Sequence, residues 1–291
     1  MQVTADGSPN DQKQTIDTVI ETVDNFSNGS PLVASSGGSV TSIRSHLTNM
    51  HSVFPVVFVH GFIGTLDVTA YELPHATPDL LGYGEHQGVP FDAISIPGQV
   101  EHLRAFVDAR FGGKPVDVVG HSVGGAVAML FARTYPEYVR RIVNVEGNFT
   151  LGDAFWSASV GRMSQKETDA MLADFRADPL AWISSSVTTP TPHLGRIAAR
   201  WLAHQPASTL RAMGQSVVTT TGNDGYLGLL EHVFDQHPVY LLSGEHSRKG
   251  WNVPDWALKK CAGDYTIANS GHLMMLDDDV EFASAIKRFL A

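Results

Sequence analysis

The pentapeptide Gly120-His121-Ser122-Val123-Gly124 constrains this chain more than any other stretch. Before it runs Val116-Asp117-Val118-Val119, a short β-branched segment suited to a strand. After it, Gly124-Gly125-Ala126-Val127-Ala128-Met129-Leu130 suits a helix. A strand that turns straight into a helix forces the residue at the turn into a strained backbone. Glycines on either side remove the Cβ atoms that would collide with the neighbouring strand and helix. The serine hydroxyl is then held up from the sheet, and the helix N-terminus behind it favours developing negative charge. In this setting Ser122 reads as a nucleophile rather than as a turn serine.

Four further runs resemble the strand before Ser122. They are Val56-Val57-Phe58-Val59, Ile142-Val143-Asn144-Val145, Val239-Tyr240-Leu241-Leu242 and the weaker Tyr265-Thr266-Ile267-Ala268. Continuous apolar runs, rather than alternating ones, mark strands buried on both faces of a parallel sheet. Helical patterns over 100–111, 124–134 and 280–290 lie between and after them. Strand and helix in alternation predict an α/β fold, a mostly parallel central sheet flanked by helices. The interval 151–235 breaks the alternation. Its Phe155, Trp156, Met163, Met171, Trp182, Trp201 and Met213 recur mostly at helical spacings, which predicts a mainly helical insertion. Residues 1–50 read as an arm. Ile16, Val19, Ile20 and Val23 share one face of an expected helix over 11–26, and a Ser/Gly-rich loop follows.

Composition excludes several classes. The chain has 291 residues, 43% hydrophobic and 17% charged, which is a globular balance with enough apolar material for a core. Thirty acids against 20 bases give a net charge of −10, so neither nucleic acid nor an anionic membrane surface is an expected partner. A single cysteine, Cys261, cannot form an internal disulfide. No segment approaches the roughly 18 apolar residues of a membrane span. The first residues lack the basic and apolar regions of a secretory signal, so the sequons at Asn25, Asn28 and Asn148 read as chance and a cytoplasmic location is expected. The chain has no H-E-x-x-H, and its one cysteine supports no thiolate cluster, so no metal or cofactor is expected. Asp277-Asp278-Asp279 reads as an acidic helix start.

With Ser122 in its strand-to-helix setting, the chain resembles the α/β-hydrolase family, over about 55–150 and 236–291. His60-Gly61-Phe62, just past the first strand, is similar to the family's HG turn. Pro78-Asp79-Leu80-Leu81-Gly82-Tyr83-Gly84 looks like its DLxGxG segment, and Gly82, Gly84 and Gly88 miss the spacing of a dinucleotide loop. The resemblance implies an oxyanion hole from the amides of Phe62 and Val123. It also implies a general base last in chain order, which fits His272 in Ser270-Gly271-His272. His121 is then a packing residue of the turn, and His60 orders its own loop.

The third triad member departs from the commonest pattern. Many relatives carry Asp in a G-x-x-D turn after the penultimate strand, but here the turn reads Gly244-Glu245-His246-Ser247. Some members, haloalkane dehalogenases among them, place the acid one strand earlier, where this chain has Glu146-Gly147. Glu146 is therefore favoured as the orienting acid, with Glu245 as the alternative. The resulting expectation divides the chain into an arm (1–50), a hydrolase core (51–150 and 236–291) and a helical cap (151–235). It makes the protein a serine hydrolase of esters, thioesters or lactones of a small, partly apolar substrate. The alternatives are a C–C bond hydrolase or lyase on the same residues, and a non-catalytic ligand-binding member of the fold.

Overall fold

The computed structural model describes residues 54–291; the arm expected over 1–50 and the sequons at Asn25 and Asn28 lie outside the described residues. Six strands form one sheet: β1 (Val56–Val59), β2 (His75–Ala76), β3 (Val116–His121), β4 (Val139–Val145), β5 (Val239–Gly244) and β6 (Gly263–Ile267). Their spatial order is β2-β1-β3-β4-β5-β6, and every adjacent pair is parallel. Every residue of β1 and β3 is buried, because helices cover both faces. The parallel sheet expected from the apolar runs is present. The two-residue edge strand β2 is too short for any periodicity to announce it.

Helices α1 (Ile96–Phe111) and α2 (Val123–Thr134) pack against each other beside the sheet. Helix α1 begins four residues before the sequence pattern suggests. Ser95 Oγ accepts the Gly98 N–H at 3.1 Å and Pro97 occupies the first turn, so the local start signal outweighs the apolar spacing.

Between β4 and β5 the chain forms α3 (Phe155–Gly161), α4 (Gln165–Ala177), α5 (Pro179–Ser184), α6 (Pro192–Ala203), α7 (Ala207–Thr221) and α8 (Tyr226–Gln236). Helix α6 buries Leu194, Ile197, Ala198, Trp201 and Leu202, a stripe at helical spacing. Helices α3 and α7 pack closely, whereas α8 lies against α2 and leads into β5. After β5 come α9 (Asp255–Lys260), α10 (Met274–Asp277) and α11 (Asp279–Leu290). Asp278 caps α11 by accepting the Glu281 N–H at 2.9 Å.

Because the strands are parallel, their C-terminal ends gather along one edge. The segments following β1, β3, β4 and β6 carry His60–Phe62, Ser122, Glu146 and His272 respectively. This is the edge of an open α/β sheet where ligand sites are built.

Candidate active site

Ser122 stands between β3 and α2 with φ 55° and ψ −124°, a left-handed-side backbone uncommon for a residue with a Cβ. The surroundings fix it there. The Ser122 N–H extends the β3–β4 ladder by donating to the Val145 carbonyl at 3.0 Å, and the Ser122 carbonyl accepts the Gly125 N–H at 2.8 Å. The glycines are a steric requirement. A Cβ on Gly120 would stand 2.8 Å from Gly125 Cα, and one on Gly124 would overlap the His60 carbonyl. The turn therefore closes only with glycine on both sides of the serine.

Glu146 lies one position beyond β4 and also has positive φ, 44°. Its carboxylate is 4% exposed and has three donors around it. Oε2 meets His272 Nδ1 at 2.6 Å, while Oε1 accepts the Gly244 N–H at 2.9 Å and the Ser247 hydroxyl at 2.6 Å. Burial alone would raise this carboxyl, but His272, Ser247 and Gly244 together hold it below its usual value, so it is ionised at neutral pH. A carboxylate on Nδ1 fixes the imidazole with its Nε2 free to accept a proton. Glu245, the other acid considered, is exposed and its Oε2 accepts the Asn269 N–H at 2.8 Å.

His272 is locked from a second direction. His121 Nε2 donates to the His272 carbonyl at 3.0 Å, and the two rings lie 4.6 Å apart. Burial, then the neighbouring His272, keeps His121 well below the usual histidine range, so it is a neutral donor. Asp277 adds a third anchor. Its Oδ2 accepts the Gly271 N–H at 2.9 Å, and its Oδ1 accepts the Thr188 N–H at 2.7 Å. The imidazole loop is thereby tied to the neighbour of Ser122 and to the segment between α5 and α6.

The HG turn presses on the serine, since a Cβ on Gly61 would lie 3.2 Å from Ser122 Cβ. Among the described residues the Phe62 N–H has no protein acceptor, and the Val123 N–H sits in the first turn of α2, where helical donors lack intrahelical partners. Tyr83 donates its hydroxyl to the Phe62 carbonyl at 2.9 Å, fixing the plane of that loop. His60 is buried and held at about 4, chiefly by desolvation. Its Nδ1 donates to the Gly61 carbonyl at 2.9 Å and its Nε2 accepts the Leu80 N–H at 3.2 Å, which ties the HG turn to the DLxGxG segment.

Ser122, Glu146 and His272 all border one cavity of about 470 Å³. Phe62, Trp156, Trp182, Trp201 and Trp251 give it an aromatic wall, and Asn148 and Asp153 add polar groups. Among the described residues no three His, Cys, Asp or Glu side chains are grouped to hold a metal ion, and no helix is long and apolar enough to cross a membrane. The arrangement pairs a serine hydroxyl, an imidazole oriented by a buried carboxylate, and two amides beside the serine. Such a set can add the hydroxyl to a carbonyl and stabilise the oxyanion that results.

Sequence reasoning missed the supporting hydrogen bonds. Ser247 stood out only as a missing acid, whereas its hydroxyl serves the acid on the next strand. His121, Asp277 and Tyr83 act on backbone atoms distant in sequence, and no motif records such contacts.

A family model described as alpha/beta hydrolase family matches residues 56–285. The 2-succinyl-6-hydroxy-2,4-cyclohexadiene-1-carboxylate synthase of Enterobacter sp. (strain 638) is 28% identical over 81% of this chain and 92% of its own length. Lipase LipV of Mycobacterium tuberculosis is 40% identical over a shorter stretch, 35% of each chain. Among solved structures, a carboxylesterase of Nitrososphaera gargenis superposes with a TM-score of 0.64 at 15% identity, covering 82% of this chain and 90% of that one.

Proposed function

The chain belongs to the alpha/beta hydrolase family, and on that premise we propose that it is a serine hydrolase cleaving an ester, thioester or lactone through an acyl-enzyme. The observation that carries this reading is the 2.6 Å contact between His272 Nδ1 and the buried Glu146 carboxylate, beside the cavity that Ser122 also borders. In this reading His272 Nε2 takes the Ser122 hydroxyl proton as Oγ bonds to the substrate carbonyl carbon. The oxyanion accepts hydrogen bonds from the Phe62 and Val123 amides, each worth about 3–4 kcal/mol at the transition state. His272 then gives its proton to the leaving alcohol or thiol, and the acyl group stays on Ser122. A water molecule, losing its proton to His272, attacks the acyl carbon and releases the acid as Ser122 regains its proton. Glu146 remains ionised and holds the imidazolium.

Helices α3 to α7 act as the cap over this centre, and their aromatic side chains favour substrates with an apolar portion. An aryl or alkyl phosphonate tests the reading. It should add once to the intact protein and not to Ser122→Ala; an adduct that persists in Ser122→Ala, or none in either, overturns it.

A second reading, cleavage of a carbon–carbon bond or an elimination, rests on the synthase that matches most of this chain. There His272 removes a substrate proton and the two amides hold the resulting oxyanion. It predicts that the principal activity survives Ser122→Ala better than His272→Ala, whereas the serine hydrolase loses activity in both.

A further inference from the structure

The loop that follows β4 carries more than Glu146. Its backbone groups are nearly all accounted for. The Gly147 carbonyl accepts the Trp251 indole N–H at 2.8 Å, and the Asn148 carbonyl accepts the Tyr226 hydroxyl at 2.9 Å. The Phe149 and Thr150 N–H groups donate to the two carboxylate oxygens of Asp153, each at 3.0 Å. What this bonding leaves over is the side-chain amide of Asn148. The residue is 4% exposed and borders the cavity, yet its side chain has no hydrogen-bond partner among the described residues, and Oδ1 is fully enclosed. A buried amide with no partner is costly, and in a cavity wall it marks a place where a ligand group completes the bonding.

Asp153 borders the same cavity. It is held by backbone donors alone, and among the described residues no Lys or Arg bridges to it. Burial pushes its carboxyl up to about 6 in spite of those donors. The whole cavity shares this character. Among the described residues its ionisable lining groups are Glu146, Asp153, His121, His246 and His272, with neither Lys nor Arg. Such a cavity offers acceptors and no fixed positive charge.

From the free Asn148 amide, the uncompensated Asp153 and the missing cations we infer that this end of the cavity is a subsite for a hydrogen-bond-donating group of the substrate, a hydroxyl or a protonated amine, and that it disfavours substrates carrying a carboxylate there. A hydroxyl satisfies both groups, accepting from the Asn148 amide and donating to Asp153. A protonated amine donates to the Asp153 carboxylate and neutralises it. The inference deepens the hydrolase reading by naming the polar end of its partly apolar substrate.

The test uses the full chain and matched aryl esters whose acyl chains end in methyl, hydroxyl, ammonium or carboxylate. A second series carries the same ends on the alcohol portion. In one series a hydroxyl or ammonium end should raise kcat/KM about tenfold over methyl, and carboxylate should lower it about tenfold. Asn148→Leu, which replaces the open amide by an apolar group of like size, should flatten the preference for hydroxyl. Asp153→Asn should flatten the preference for ammonium and relieve the exclusion of carboxylate. Equal kcat/KM for all ends in both series, or a ranking unchanged in Asn148→Leu, overturns the subsite. Aryl ketones of the same shapes, read by thermal shift, separate this inference from the hydrolase reading. Ranked shifts without ester turnover keep the subsite and remove the serine hydrolase; equal shifts beside brisk turnover do the reverse.

Discussion

Strands β4 and β5 lie side by side and each ends in a turn bearing a glutamate, yet the two carboxylates have opposite surroundings. Glu146 is enclosed and meets His272, the Gly244 amide and Ser247. Glu245 is exposed and, among the described residues, its carboxylate accepts only the Asn269 amide. Both glutamates lie just beyond their strands, so the turn backbone and not strand alternation decides which carboxylate enters the site, and Glu146 is turned there by its positive φ of 44°. At the end of β5 the inward-reaching role falls to Ser247, two residues beyond Glu245. The two turns are thus complementary, since β4 contributes the charge and β5 contributes a hydroxyl and an amide that hold it. Ser247 reaches the carboxylate that meets His272, so the two strand ends converge on one group.

The contrast breaks most severely at the charge itself. Glu146→Gln keeps the shape and removes the anion, and kcat should fall by about 10³–10⁴, as for loss of a triad acid elsewhere. Steady-state kinetics on an aryl ester measure it, and a loss below about tenfold would return the role to another acid. Moving the acid across the sheet is the next largest effect. Ser247→Asp in the Glu146→Gln background should recover at least about tenfold of the lost kcat, because the new carboxylate starts from a position already within reach of the site. No recovery would mean that the β5 turn cannot direct a charge to His272.

Ser247→Ala alone should lower kcat about tenfold with KM little changed, the cost of one hydrogen bond to a charged acceptor. The same variant should shift the acid limb of the pH–rate profile upward, since Glu146 loses one of the donors that hold it down. A purely structural role for Ser247 would leave that limb in place.

The loop after β4 also sets two carboxylates against each other in stability. Glu146 is depressed, so its contribution is present above its ordinary value of 4.5 and is lost as pH falls through its lower folded value. Asp153 is raised from 3.8 to about 6, so the folded state holds its proton more tightly than the unfolded one, and stability falls as pH rises across that interval. Thermal unfolding of Asp153→Asn against the parent should show that decline removed between about pH 4 and pH 6. Glu245→Gln is the smallest change: kcat within about twofold, and at most about 1 kcal/mol of stability as the Asn269 N–H exchanges a charged acceptor for a neutral amide oxygen.

The sheet and the turn at Ser122 were legible because both are local. A buried parallel strand is a run of apolar residues, and the steric demand at Ser122 is met by glycines within two positions of it. The HG turn and the segment before His272 were legible through resemblance. The position of Glu146 could be argued because the residue at the commoner site is Ser247. What could not be read was the network around these groups. The Ser247–Glu146, His121–His272 and Tyr83–Phe62 contacts join residues far apart in the chain through single hydrogen bonds, which leave no periodic trace. The aromatic spacing of α3 to α7 announced helices, but spacing within a helix does not say which face meets the cavity. Asp277 shows the same limit: as one of three aspartates it read as a helix start, and only its Gly271 and Thr188 partners show that it anchors the imidazole loop.

The central claim is that Ser122 takes the acyl group during turnover. Acid quenching in the first turnovers of an activated aryl ester, followed by peptide mass mapping, tests it directly. The account predicts acyl mass on the peptide containing Ser122, approaching one group per chain, and none on Ser122→Ala. Undiminished ester cleavage by Ser122→Ala, with no acyl group on that peptide in the parent, would contradict it.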